Sequence, residues 1–146
     1  MENLKKQKLN NSALLTPNSQ LNIHFLGIGG TGVAQIANFF TQLPNTNFKF
    51  TGSNIDPNER IEKLKNKIDI VVPHDANIIT KDTALVIYSP AIPETNEEYI
   101  KAKELNIPTI EITNVLRILA DLYFHKKEPD IKEYSCTSND ISFLTN

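Results

Sequence analysis

The sequence predicts an α/β fold in which a mostly parallel, five-stranded sheet lies between two layers of helices. Three observations lead to this fold class. Short apolar segments alternate with segments of helical spacing along most of the 146 residues, as βαβ crossovers require. Residues 84–88 form a nearly continuous apolar run, which is typical of a strand buried on both faces. A glycine-rich turn between Gly27 and Gly32 joins the first strand to the first helix.

The first strand is predicted at residues 22–26, directly before the glycine-rich turn. Apolar residues then recur at helical spacing and predict a helix from Thr31 onward. They are Val33, Ile36, Ala37, Phe40 and Leu43. A turn cluster at 44–47 follows, and the second strand is predicted at 48–51, ending in a loop that starts at Gly52.

The second helix is predicted to begin near Pro57, because proline is favoured at the first helical position. Its buried face would contain Ile61 and Leu64, with Ile68 as a further candidate. The third strand is predicted at 68–72.

The fourth strand, 84–88, leads into a loop at 89–93 and a helix over 96–105. The fifth strand is predicted at 108–112, and a last helix follows, with Thr113 as its N-cap. One apolar stripe marks this helix. It consists of Val115, Ile118, Leu119 and Leu122.

Composition limits the classes of function. We expect residues 1–20 to be a flexible leader, 21–124 the folded domain, and 125–146 a polar tail that is disordered or a truncated linker. The net charge of −2 without a basic stripe argues against nucleic-acid binding, and no apolar run approaches the roughly 18 residues of a membrane span. A single cysteine excludes an internal disulfide, and no signal peptide is evident, so we expect a cytoplasmic protein.

The glycine-rich turn is the strongest functional signal. Gly27, Gly29 and Gly32 fit the pattern G-x-G-x-x-G in a strand–turn–helix context. Unpaired N–H groups and a partial positive charge at a helix N-terminus favour a phosphate there, and Gly29 would let the backbone approach it. The structural alternative is a tight turn whose glycines serve packing alone.

Four loops together carry a resemblance to a known family. They are the turn 26–32, Gly52-Ser53-Asn54, His74-Asp75-Ala76, and Ser89-Pro90-Ala91-Ile92 with Asn96. In order and spacing they resemble the N-terminal, Rossmann-like domain of the Mur ligases, over about residues 21–124. Among these ligases the sequence is most similar to those that add L-alanine to UDP-N-acetylmuramate in peptidoglycan biosynthesis.

The resemblance implies a ligand and a set of contacts. The family's N-terminal domain binds the UDP part of UDP-N-acetylmuramate or a related UDP-sugar, with the glycine-rich turn at the diphosphate. The backbone N–H groups of residues 29–32 would then face the phosphates, and the second loop would lie near the uridine. The residues that match the family's binding loops are Gly27, Gly29, Gly30, Thr31, Gly32, Ser53, Asn54, His74, Ser89, Ala91, Ile92 and Asn96.

The sequence also departs from the family pattern. Asn54 stands where the family usually has Asp, and Ile112-Thr113-Asn114 replaces an Arg-Ala-Glu run. The family binds ATP and Mg²⁺ through a G-x-x-G-K-[ST] loop in a central domain, and this chain has no glycine after Gly52. We therefore expect no cofactor and no catalytic residue in this chain, which would bind without ligating unless a partner chain supplies the ATP site.

Two other functions remain open from the sequence. The glycine pattern also serves NAD, but that function favours an acidic residue after the second strand, where Ser53-Asn54 stands. A regulatory domain that has lost its ligand is the second alternative.

Individual site residues have structural alternatives as well. Ser53-Asn54 and Ser89-Pro90 are also ordinary turn sequences, His74 also fits a solvated loop histidine, and metal ligation there is not expected. We expect His24 to be a packed, hydrogen-bonded residue rather than a catalyst. We expect the charged residues of the helix at 96–105 to form a solvated face. They are Glu97, Glu98, Lys101, Lys103 and Glu104.

Overall fold

The computed structural model describes residues 20–44 and 47–123, which form one five-stranded parallel sheet with helices on both faces. This confirms the predicted fold class, and every strand pairing in the described sheet is parallel. The predicted leader, apart from Gln20, and the predicted tail lie outside the described residues.

The elements alternate in the predicted order. The strands are β1 (Leu21–Leu26), β2 (Phe48–Ser53), β3 (Asp69–Val71), β4 (Thr83–Tyr88) and β5 (Thr109–Glu111). The helices are α1 (Thr31–Thr41), α2 (Glu59–Leu64), α3 (Glu97–Glu104) and α4 (Ile112–Tyr123). A short 3₁₀-helix, Ala76–Ile78, precedes β4.

Alternation along the central strands divides the core into two layers. Ile23 and Phe25 of β1 pack with α1, α2 and α4 on one face of the sheet, where Phe25 and Phe40 place their ring centroids 6.1 Å apart. On the other face Leu26 and Val86 pack with α3 and the 3₁₀-helix. The second layer also receives His24, whose side chain is fully buried.

The strand order β3-β2-β1-β4-β5 determines where a ligand can enter. The chain leaves β1 toward β2 on one side and continues at β4 on the other, so the topological switch point lies between β1 and β4. In open α/β sheets the crevice at the carboxyl ends of such strands is the usual ligand site. Here it is flanked by the loops after Leu26 and Tyr88.

The observed boundaries correct three predictions. β2 extends to Ser53, so Gly52 and Ser53 belong to a strand rather than to a loop. Ile112 starts α4 instead of ending β5, and Thr113 lies within the first turn of α4, where its hydroxyl donates to the Glu111 carboxylate. Thr113 is therefore not the N-cap. Within the described residues, no helix is long and apolar enough to cross a membrane.

Asn96 is the N-cap of α3, and its replacement by alanine is expected to destabilise the domain by about 1 kcal/mol. Its Oδ1 accepts hydrogen bonds from the backbone N–H groups of Glu98 at 2.9 Å and Tyr99 at 3.2 Å. Urea denaturation of Asn96→Ala measures the loss, and Asn96→Asp, which keeps an acceptor oxygen, should retain most of the stability. Equal unfolding free energies for Asn96→Ala and the parent would contradict this role.

Candidate ligand-binding site

An open cleft of about 390 Å³ lies at the switch point, beyond the carboxyl ends of β1, β2 and β4. Backbone and side chains from every loop predicted to bind a ligand contribute to its walls. The lining residues are Gly27, Gly29, Gly30, Asn54, Ile55, Asn58, His74, Ser89, Ala91, Ile92, Pro93 and Asn96. The structure thus brings segments that are up to 69 residues apart in sequence around one space.

Nine of the twelve site residues predicted from the sequence line this cleft. The three that do not are Thr31, Gly32 and Ser53. Thr31 and Gly32 are exposed in the first turn of α1, whereas Ser53 is fully buried beneath the cleft.

Gly27, the first glycine of the pattern, is favoured by its backbone conformation and by the close approach of the loop that contains Ser89. Gly27 has a φ of 80°, in the left-handed region that favours glycine. A Cβ atom on Gly27 would lie 3.1 Å from the Cβ of Ser89, so another residue there would push the loops after β1 and β4 apart by a few tenths of an ångström. The Ser89 Oγ accepts the Ala91 N–H at 3.2 Å, which shapes the second of these loops.

The N–H groups of the glycine-rich turn are only partly available to a ligand. Gly29 donates to Asn54 Oδ1 at 3.1 Å, and Gly30 donates to the Gly27 carbonyl at 3.0 Å. The N-cap of α1, Gly30, provides no side-chain cap, and no described residue accepts from the N–H groups of Thr31 and Gly32. These two groups carry the positive end of the helix dipole into open space.

Gly29 has a different role from the one that the sequence predicted. A Cβ atom there would lie 2.4 Å from Asn54 Nδ2 and 2.6 Å from Asn58 Nδ2. The absent side chain therefore makes room for the loop after β2 rather than for a ligand. Asn58 Nδ2 and Arg60 Nε donate to the Gly29 carbonyl at 3.0 and 2.8 Å, which fixes the turn from its far side.

Asn58 and Arg60 were missed by the sequence analysis. Asn58 Oδ1 caps α2 by accepting the Ile61 N–H at 3.0 Å, and an asparagine just before a helical apolar period is a recognisable cap signal. Arg60 has no comparable signal, because its contact partner lies 31 residues away in the sequence.

Glu98 is the clearest error of the sequence analysis, because its side chain is fully buried and not part of a solvated face. Its Oε1 accepts from His24 Nε2 at 2.7 Å and from the Ser53 hydroxyl at 2.9 Å. Its Oε2 accepts from His74 Nδ1 at 2.9 Å. His24 Nδ1 in turn lies 2.9 Å from Thr51 Oγ1, which confirms that His24 is a packed, hydrogen-bonded residue.

The network around Glu98 favours an ionised carboxylate. Burial by itself would raise the pKa of Glu98. The hydrogen bond of His24, its charge when it is protonated, the hydrogen bond of Ser53 and the charge of His74 when it is protonated outweigh burial and lower that pKa below its ordinary value. The side chain of His74 is 12% exposed and forms the connection between this buried network and the cleft.

Two further features bear on the chemistry of the site. Among residues 20–44 and 47–123, no group of histidine, cysteine and acidic side chains has a geometry that could hold a metal ion. A second groove, of about 510 Å³, lies between α1 and α4 and has an almost entirely apolar lining that includes Phe39, Leu116 and Leu119. A phosphorylated ligand fits the first cleft and not this groove.

The sequence profile of the Mur ligase family, catalytic domain, matches residues 22–124 of this chain. The chain belongs to the Mur ligase family. This confirms the resemblance carried by the four loops, all of which lie within the matched residues.

Individual relatives support the same assignment. A UDP-N-acetylmuramate–L-alanine ligase of Campylobacter jejuni is 39% identical over 102 residues, which are 68% of this chain and 22% of the relative. The enzyme of that name from Hydrogenobaculum is 40% identical over 106 residues, 71% of this chain and 22% of the relative.

A solved structure, the UDP-N-acetylmuramate–alanine ligase of Thermotoga maritima, superposes with a TM-score of 0.60 at 35% sequence identity. It covers 67% of this chain, which corresponds to 22% of that structure. This chain therefore spans about a fifth of the length of the relatives it matches.

Proposed function

We propose that this domain binds the UDP part of UDP-N-acetylmuramate, or of a related UDP-sugar, for a ligase reaction in peptidoglycan biosynthesis. The observation that carries the proposal is the convergence of four predicted binding loops on one cleft in a chain of the Mur ligase family. The similar proteins are UDP-N-acetylmuramate–L-alanine ligases, and we take the sugar nucleotide from their substrate.

The arrangement of polar groups supports a diphosphate ligand. The uncapped N–H groups of Thr31 and Gly32 favour an anion, and these residues directly follow Gly30, which lines the cleft. Asn54 and Asn58, which also line it, hold the glycine-rich turn in place, because the Gly29 N–H donates to Asn54 and Asn58 donates to the Gly29 carbonyl. The apolar wall at Ile55 and Ile92 offers a surface for the flat face of a base.

The same polar groups argue against NAD. An NAD-binding domain uses an acidic side chain at the end of the second strand to bind the ribose hydroxyls. In this chain Ser53 ends β2 with a buried hydroxyl, and Asn54 follows it with an amide already bonded to Gly29 and to the Asp56 carbonyl.

UDP and UDP-N-acetylmuramate are therefore expected to stabilise the chain against heat, and NAD to stabilise it less. A ligand at 100 times its dissociation constant adds about 2.7 kcal/mol to the free energy of unfolding. Thermal unfolding with each ligand at a matched concentration makes the comparison. Equal or greater stabilisation by NAD would overturn the assignment, and no stabilisation by any nucleotide would favour a regulatory domain without a ligand.

The ATP-dependent step is assigned to parts outside residues 1–146. Phosphoryl transfer relies on a phosphate-binding loop, a lysine and Mg²⁺, and no glycine for such a loop follows Gly52. In this proposal a further domain or a partner chain in the cytoplasm supplies the ATP site, and this domain delivers the bound UDP-sugar.

A polypeptide of residues 1–146 alone is therefore expected to bind UDP-N-acetylmuramate without ligating L-alanine to it. ADP release in the presence of ATP, Mg²⁺, UDP-N-acetylmuramate and L-alanine measures the reaction. Release that depends on both the sugar nucleotide and the amino acid would refute this division of labour.

A further inference from the structure

The proposed function assigns no role to Glu98, although burial of its carboxylate costs free energy. A fully buried carboxylate is stable only when hydrogen-bond donors compensate for the lost hydration. Three side-chain donors converge on it from β1, β2 and the loop after β3: His24, Ser53 and His74. Of these three, only His74 also lines the cleft.

The geometry determines which nitrogen of His74 carries a proton. An ionised carboxylate can only accept, so His74 Nδ1 donates to Glu98 Oε2 at 2.9 Å. The same nitrogen lies 2.9 Å from Ser53 Oγ, whose own proton is directed to Glu98 Oε1. The second ring nitrogen, Nε2, has no hydrogen-bond partner among the described residues, while the His74 ring forms part of the cleft wall.

His74 is the one titratable side chain among the described residues that line the cleft. The other described residues that line the cleft are uncharged. His24 faces the other oxygen of Glu98, Asp75 directs its carboxylate to the Asn77 N–H at 2.9 Å, and Arg60 directs Nε to the Gly29 carbonyl. In the part of the cleft wall that the structure describes, a bound diphosphate therefore finds one titratable side chain, whose ring is hydrogen-bonded to the Glu98 carboxylate.

We propose that Glu98 is a positioning residue that prepares His74 to become the cationic group of the cleft. When a diphosphate binds, His74 Nε2 takes up a proton from solvent and donates it as a hydrogen bond to the ligand. Glu98 holds the opposite side of the ring through Nδ1, and both neighbouring anions favour the charged imidazole. This inference rests on the proposed function and adds proton-linked binding to it.

Isothermal titration calorimetry with UDP-N-acetylmuramate in two buffers of different ionisation enthalpy, near neutral pH, measures the protons taken up. The esterified diphosphate of this probe does not titrate there, so uptake reports the protein. We expect net uptake by the parent chain and none by His74→Asn, whose amide still donates to Glu98 but lacks Nε2. Affinity should fall about tenfold to a hundredfold in that variant, the usual range for one charged hydrogen bond.

A matched pair of substitutions on α3 tests Glu98 itself. Glu98→Gln should abolish proton uptake and weaken binding, whereas Glu97→Gln, which removes the same charge from an exposed neighbour, should do neither. If Glu98→Gln does not fold, the parent and His74→Asn still decide the question. Binding without uptake by the parent, at an affinity unchanged in His74→Asn, would overturn the inference and leave the proposed function standing. Failure of the parent to bind the probe at all would overturn both.

Discussion

Replacement of Gly29 by valine is expected to abolish measurable UDP binding and to destabilise the domain by about 2–3 kcal/mol. The new Cβ would overlap Asn54 Nδ2 and Asn58 Nδ2, at 2.4 and 2.6 Å. Both side chains are held by hydrogen bonds, Asn54 to Asp56 and Asn58 to the start of α2, so neither can move without losing one. The cleft wall formed by the loop after β2 would then shift away from the glycine-rich turn.

Gly32→Ala is the control for this substitution. A Cβ atom at Gly32 would meet only Ile112 Cγ1, at 3.9 Å, which is an ordinary contact. Since alanine also favours a helix over glycine, the control should fold at least as stably as the parent and bind UDP. Calorimetric titration of UDP into both variants, after their folding has been checked, separates loss of the site from loss of the fold. Binding of UDP by Gly29→Val at the parental affinity would show that UDP binding does not depend on the cleft wall formed by the loop after β2.

Replacement of Glu98 by alanine is expected to lower the free energy of unfolding by about 3–5 kcal/mol, because its buried donors lose their shared acceptor. His24 is the most affected, since its Nε2 lies 2.7 Å from Glu98 and its ring is fully buried. Urea denaturation at neutral pH measures the loss. Glu97→Ala, on the exposed side of the same helix, should cost less than about 0.5 kcal/mol.

The difference in unfolding free energy between the parent and Glu98→Ala is expected to depend on pH in one direction. The native-state pKa of Glu98 lies below its ordinary value of 4.5, so folding favours the ionised form. The stability due to Glu98 is fully present above about 4.5 and is lost as the pH falls through the lower native-state pKa. The gap between the parent and Glu98→Ala should therefore narrow in acid. A gap that is constant or wider at low pH would contradict an ionised, hydrogen-bonded Glu98.

The sequence predicts the architecture because each element carries a local signal. The apolar run at 84–88 and the helical period after Thr31 arise from burial on two faces and on one stripe, and both are visible without a structure. Parallel topology then brings the loops after the strands to one edge, so nine of the twelve predicted site residues share a cleft.

The buried network could not be predicted in the same way. Glu98 lies among Glu97, Lys101 and Lys103, a composition typical of a solvated helix, and its partner His24 is 74 residues away. Burial of a carboxylate depends on donors from other elements, and one sequence does not show which residues meet in space. Ser53 was misplaced for a related reason, because a glycine–serine pair suggested a turn where β2 continues beside β1.

The glycine-rich turn shows which structural details a sequence pattern can predict and which it cannot. The pattern correctly located a tight strand-to-helix connection, and Gly27 has the positive φ expected there. The pattern does not tell which glycine makes room for a ligand and which for the protein itself. Gly29 makes room for Asn54 and Asn58, and no acceptor within residues 20–44 and 47–123 meets the N–H groups of Thr31 and Gly32.

The most direct test of the central claim is an amide NMR titration of the isotope-labelled chain with UDP. Resonances around the switch-point cleft are expected to shift together and saturably, those of Thr31 and Gly32 most strongly, with Asn54 and Ala91 among the others. Resonances of Phe39 and Leu116, in the apolar groove between α1 and α4, should stay in place. An unchanged spectrum, or shifts confined to that groove, would contradict a UDP-binding site at the glycine-rich turn.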